Sequence, residues 1–280
     1  MMKRRIINAV QYIFLSVLSL LCLFPLIWMV IAATNTSTDV TSGTMIPGTY
    51  FFENLKAVLS SDLQYLTAYK NSLIIAVITT VLAMIVSSGA GYAFTIYKSK
   101  GKERVFDLIL ASMMVPFSAM MVPLFRLFSN FNKVPVLKSI GINTLGSVIV
   151  ISIATAFLIF FFRQNTMTFP KELVEAARID GLGEFGIFFK VYMPTMKSTY
   201  AAAIIVTFMN SWNSYMWPLI ALQSSDKRTL PLVLSAMGSS YTPDYGMMMN
   251  AVLLATIPMI IIFFALQKEF VAGMGGAVKG

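Results

Sequence analysis

The stretch NSLIIAVITTVLAMIVSSGAGYAFTIY, residues 71–97, decides the fold, because it is mostly apolar and holds no Asp, Glu, Lys or Arg. A helix needs about 20 such residues to cross a hydrocarbon core about 30 Å thick, and only helices or closed barrels satisfy their backbone groups in lipid. Five more stretches of the same kind follow from the same test: residues 6–33, 108–125, 139–162, 198–222 and 245–267. The alternating ten-residue segments of a barrel are absent. The sequence therefore predicts an all-α membrane protein with six transmembrane helices. Residues 6–33 follow Lys3, Arg4 and Arg5 as a signal peptide would. Their apolar run exceeds the roughly 7–15 residues of such a peptide, so they read as a retained first span.

Composition agrees. Of 280 residues, 57% are hydrophobic and 12% charged, against about 25% charged in soluble domains. With no His and one Cys, the chain cannot build a Cys/His zinc site, a disulfide framework or a Ser-His-Asp triad. The net charge of +9 is explained by topology. With the N-terminus inside, inner segments carry 14 Lys and Arg and outer segments 6, as the positive-inside rule requires. Both termini are then cytoplasmic, and nucleic-acid binding is not expected.

None of the six stretches holds an ionisable acidic or basic side chain, so a self-contained proton relay is not expected. Sodium coupling through backbone carbonyls leaves no such trace, which keeps a secondary transporter or channel as the alternative. No phosphate-binding G-x-x-x-x-G-K-[ST] exists. Gly181, Gly183 and Gly186 do spell G-x-G-x-x-G, but a dinucleotide fingerprint needs a preceding strand, and a charged helix precedes here. No enzyme activity and no cofactor are expected of this chain.

One inner connection, residues 163–197, is long and rich in charge. Pro170 suits the first turn of a helix, and Gly181 its C-terminal stop at φ > 0. Between them Leu173, Ala176 and Ala177 form a small apolar face, and Lys171, Glu175 and Arg178 a charged stripe. Phe185, Phe188, Phe189 and Tyr192 then repeat at helical spacing. Periodicity alone leaves two readings open: an interfacial hairpin linking two spans, or a lever that a cytoplasmic partner grips through Glu175.

Glu175-Ala176-Ala177, then Gly181, then Val191-Tyr192-Met193-Pro194 resembles the EAA motif of ABC importer permeases, EAA-x3-G-x9-I-x-L-P. Val191 and Met193 depart from it by apolar exchanges. Pro25-Leu26-Ile27-Trp28-Met29, Trp217-Pro218-Leu219, Thr229-Leu230-Pro231-Leu232 and the terminal Gly275-Gly276-Ala277-Val278-Lys279-Gly280 are similar to the MalG-like permeases of carbohydrate importers. The resemblance implies the type I (MetI-like) fold in the bacterial cell membrane. It also implies a MalF-like second permease, a cytoplasmic ATPase dimer that holds the ATP and Mg, and an extracytoplasmic sugar-binding protein. Glu175, Ala176, Ala177, Gly181 and Pro194 would contact the ATPase, as would Gly275, Gly276 and Lys279 of the tail. Leu230, Pro231 and Gly238 in the last outer loop would meet the binding protein. The chain then divides into an N-terminal segment (1–70), a permease core (71–267) and a tail (268–280).

The polar run Asn210-Ser211-Trp212-Asn213-Ser214 interrupts the fifth stretch. Such side chains often bond between helices; the other reading puts Asn210, Trp212 and Asn213 on the sugar path, where amides and aromatic faces suit hydroxyls and sugar rings. Pro116, Pro123 and Pro258 are expected to kink their helices.

Overall fold

The computed structural model describes residues 2–97 and 99–276, and every regular element among them is helical. The principal helices are α1 (Met2–Ala32), α2 (Phe51–Ser60), α3 (Tyr65–Ile96), α4 (Lys100–Ser112), α5 (Phe117–Phe131), α6 (Leu145–Ser152) and α7 (Ala156–Thr166). They continue as α8 (Glu172–Ile179), α9 (Lys197–Trp212), α10 (Met216–Ala221), α11 (Leu230–Gly238) and α12 (Tyr245–Gly276). All six apolar stretches are mainly helical. Four are long and apolar enough to cross a membrane: Ile7–Ala32, Tyr65–Ile96, Leu145–Thr166 and Tyr245–Val271. Helices α3 and α12 have 32 residues each, about 48 Å at 1.5 Å per residue, and therefore outreach the hydrocarbon core.

The other two stretches are broken. Helices α4 and α5 meet at 104°, because Pro116 cannot continue a helix and stands in extended geometry (φ −65°, ψ 137°) at the start of α5. Helix α9 has 16 residues and stops at Trp212; α10 begins at Met216 after a three-residue gap. A third break separates α6 from α7 within a span. There the hydroxyl of Thr155 caps α7 by accepting from the Leu158 N–H, and Ser87 of α3 donates to the freed carbonyl of Ile153 at 3.3 Å. Pro123 and Pro258 lie inside α5 and α12.

The contacts divide the chain into two units, Met1–Tyr65 with Val233–Ile257, and Leu66–Leu232 with Pro258–Gly280. In the first, α1 exposes nearly every side chain, from Ile7 to Val30. The buried Asn54 of α2 holds the chain after α1 by donating to the carbonyls of Ala33 (3.0 Å) and Asn35 (2.9 Å). The Tyr65 hydroxyl donates to Ala251 O at 2.7 Å.

The second unit is organised by the polar face of α3. Ser72, Thr79, Thr80, Ser87, Ser88 and Thr95 are all buried on that helix. Ser72 accepts from the Leu230 N–H at 2.8 Å, Asn71 donates to Asp226 O and Arg228 O at 2.9 Å each, and the Tyr200 hydroxyl bonds Ser88 at 2.7 Å. Asn143, in the left-handed region at φ 65°, accepts from the Gln223 and Ser224 N–H groups at 3.0 Å each. These bonds fix the loop ahead of α6 and the segment between α10 and α11.

Helices α3 and α7 touch backbone to backbone at Gly91, where an added Cβ would sit 2.6 Å from Phe162 Cβ and 2.7 Å from Arg163 N. Gly91→Ala should force the helices apart at a cost of about 1–3 kcal/mol. A lowered Tm of the detergent-purified protein is expected, with Gly101→Ala, whose Cβ meets nothing within 4 Å, as the neutral control. Equal Tm values for wild type and Gly91→Ala would contradict this packing.

Candidate functional site

The connection between α7 and α9 is built around α8. Pro170 lies just ahead of the helix, and the first bonds run from Leu173 N–H to Pro170 O and from Val174 N–H to Lys171 O. Gly181 ends it at φ 81°. There Leu182 N–H reaches back to Ala177 O at 3.0 Å and Gly181 N–H to Arg178 O at 3.0 Å, the closing bonds that a residue without Cβ permits.

The small apolar face of Leu173, Ala176 and Ala177 is divided between inside and outside. Val174 and Ala177 are buried, whereas Leu173, Ala176 and Glu175 face out with Ile179. Apolar residues occur all round this helix, so periodicity cannot choose its rotation; the links at Pro170 and Gly181 do. A second shift follows in residues 184–195. Phe188 and Tyr192 are buried, but Phe185 is 84% exposed and Phe189 half-exposed. The backbone of Phe188–Tyr192 is a π turn, whose wider i→i+5 ladder ends with Met193 N–H on Phe188 O. The extra residue per turn moves Phe185 and Phe189 off the buried face.

The buried side of this connection packs into an aromatic cluster. Tyr192 stacks on Phe188 (5.5 Å, 20°) and lies 4.8 Å from Tyr92, 5.3 Å from Phe169 and 6.5 Å from Tyr200. Its hydroxyl bonds Thr166 Oγ1 at 2.6 Å. Ion pairs bound the cluster. Arg178 Nε donates to Glu184 Oε1 at 2.8 Å, and the Tyr97 hydroxyl donates to Glu184 Oε2. These bonds, Arg178's first, hold the Glu184 carboxyl below the usual carboxylate range. Arg163 pairs with Glu103 of α4 at 2.6 Å and lies 3.8 Å over the Phe106 ring. Lys197 pairs with Glu269 of α12 at 3.2 Å. One face of α8 is thus fixed, and its other face leaves Leu173, Ala176 and Ile179, the last at 87% exposure, open among Glu172, Glu175 and Arg178. Pro194 is exposed as well.

The three helix breaks share a second feature. Residues on all of them, Ser112, Met113 and Val115, Ser152 with Thr155, and Ser214 with Tyr215, line one cavity of about 820 Å³. A smaller recess of about 100 Å³ adjoins it, lined by Thr79, Thr207, Asn210 and Ser211 and sharing Ser152, Thr155, Phe157 and Ser214 with the larger space.

Of the residues proposed for a path, Asn210 lines the recess. Trp212 is 3% exposed, stacked on Phe208 (5.8 Å, 12°) and edge-on to Tyr69, so it packs the wall. Asn213 is exposed, its amide nitrogen 4.0 Å from Met259 Sδ. Sequence reading did not single out Ser152, Thr155, Phe157 or Thr79; short hydroxyl residues interrupting apolar runs were the available signal. In the last outer loop Leu230 is buried at 1%, Pro231 is half-buried and Gly238, at the end of α11, is exposed. Gly275 and Gly276 are the last residues of α12. Lys279 lies outside the described residues.

Residues 86–275 match the family described as binding-protein-dependent transport system inner membrane component. The chain is 45% identical over 278 residues to the lactose transport system permease protein LacG of Rhizobium radiobacter, covering 99% of this chain and 98% of that one. It is 37% identical over 276 residues to the arabinooligosaccharides transport system permease protein AraQ of Bacillus subtilis, covering 96% and 94%. Among solved structures, a bacterial ABC transporter involved in import of the acidic polysaccharide alginate superposes with TM-score 0.78 at 24% identity, over 95% of this chain and 97% of that one. The MetNI methionine ABC transporter gives TM-score 0.53 at 17% identity, over 73% and 94%. Several membrane-length apolar helices, the type I importer fold and this family match lead to one conclusion: the chain belongs to the binding-protein-dependent inner membrane components and is a multi-pass ABC importer permease.

Proposed function

We propose that this permease serves an ATP-driven importer of di- or oligosaccharides, forming half of the translocation path beside a second, MalF-like permease. A separate cytoplasmic ATPase dimer holds the ATP and Mg, and an extracytoplasmic binding protein delivers the sugar. This chain itself catalyses nothing and holds no cofactor. The observation that carries the reading is the two-sided construction of α8. Its Val174 and Ala177 are buried with the aromatic cluster, while Leu173, Glu175, Ala176 and Ile179 are left outside. An element fixed on one face and bare on the other transmits displacement from a partner to the helices behind it. The relatives named for lactose and arabinooligosaccharides support the sugar class.

In this reading the ATPase grips α8 through Glu175, Ala176 and the Gly181 turn, and ATP-driven closure moves the segment up to Pro194. That movement tilts α7 and α9 and alternates access to the path. The tail beyond Gly275 reaches the ATPase interface, and Gly238 lies on the side offered to the binding protein.

Three outcomes test this. Glu175→Lys should lower binding-protein-stimulated ATP hydrolysis of the assembled complex about tenfold or more, since a reversed charge at a docking rim repels its partner; full hydrolysis and uptake would refute the assignment of the lever. Deleting residues 275–280 should leave the protein inserted yet release hydrolysis from transport, read as ATP consumed per sugar moved. Arg178→Glu and Glu184→Arg should each impair coupling, and the double variant should recover it. Because the Glu184 carboxyl is depressed from its ordinary value near 4.5, this ion pair is complete at neutral pH and is lost only as pH falls through that lowered value. Coupling measured from about pH 6 to 8, wholly above the titration of a carboxylate, should show no step attributable to it.

A further inference from the structure

The cleft at the three helix breaks carries a chemistry of its own. Its volume of about 820 Å³ falls in the range of about 300–1,000 Å³ typical of small-molecule sites, which are mostly apolar with a few placed polar groups. Phe117 and Phe157 line it and are 40% and 48% exposed. Trp217 is pinned in the wall, its indole N–H donating to Ser147 O at 3.0 Å and its ring edge-on to Phe128 at 5.4 Å.

The polar groups converge on the recess. Thr79 is fully buried there, and its hydroxyl has no hydrogen-bond partner. An unpaired buried hydroxyl costs about 1–3 kcal/mol, which an occupant of the recess that bonds Thr79 recovers. About 100 Å³ accepts several waters, or the hydroxylated substituent of a larger molecule seated in the cleft. The lining residues of the two spaces are neutral, with no Asp, Glu, Lys or Arg among the described ones. An anion placed there would lose its hydration with no countercharge.

Resting on the permease reading above, we infer that the cleft and recess form this chain's own subsite for an uncharged saccharide. A ring face lies on Phe157, and ring hydroxyls meet Ser152, Ser214 and Thr79. The subsite discriminates against anionic carbohydrates because nothing in it pairs with a negative charge. A helix of the partner permease filling the cleft is the competing occupant.

The test uses the full complex with Cys22→Ser, which removes the chain's one cysteine, and Ser152→Cys or Ser214→Cys introduced singly. The rate of modification by a neutral maleimide is measured with lactose, with arabinotriose, and with glycerol 3-phosphate. A neutral saccharide should slow modification at least about fivefold at saturation, and glycerol 3-phosphate should leave it unchanged. Thr79→Val should raise the saccharide concentration giving half-protection by up to about tenfold, the loss of one buried hydrogen bond. Equal protection by the anion, no protection by either saccharide, or no modification at all, as a partner helix in the cleft would give, overturns the subsite. Wild-type uptake separates the two layers: if the complex imports a neutral saccharide while labelling ignores it, the subsite alone fails; if it imports none, the permease reading fails first.

Discussion

Within a bilayer a backbone amide has no water to turn to, and the apolar stretches of this chain are built to that demand. Unbroken helices answer it in α1, α3 and α12. Where a helix does break, something must take over the freed groups. Thr155 caps the start of α7, and Ser87 covers the carbonyl of Ile153. At the other two breaks Met113, Val115, Ser214 and Tyr215 line a cavity, a setting in which irregular backbone is tolerated at membrane depth. Irregular backbone and cleft are therefore two aspects of one solution, and the polar face of α3 is what makes it possible.

The segment between α7 and α9 meets a different demand, being wet on one side and packed on the other. Its inner face is aromatic, and Tyr192, fully buried, is satisfied by the hydroxyl of Thr166. The ion pairs at Glu184, Arg163 and Glu269 are partly exposed and individually weak. They orient the segment, while the aromatic packing supplies its stability.

How much of this was legible in the sequence depended on whether a residue's role was local. The six apolar helices were legible because lipid imposes a length and forbids charge. The turn at Gly181 was legible because only a residue without Cβ takes φ 81° there at little cost. Pro116 announced one break. The break at residues 153–155 carries neither Gly nor Pro and depends on Thr155 and Ser87 meeting across helices, which no window reveals. The rotation of α8 was hidden for the same reason, its apolar residues lying on every side. Trp212 looked like a lining residue in a polar run, yet Phe208 and Tyr69 enclose it. Asn210 alone of that trio reaches the recess.

The aromatic cluster also sets the mechanics of any motion that passes through it. Close-packed interiors are nearly incompressible, so a shift of Val174 and Ala177 must be handed on to Phe162 of α7 and Tyr200 of α9. Those same helices end at the cleft, but α7 has 11 residues and α9 has 16, about 16 Å and 24 Å of rigid rod. The lever arms are unequal. An identical rocking angle at the hinge end sweeps the far end of α9 half as far again as that of α7, so the walls would slide past one another in shear instead of parting like a piston.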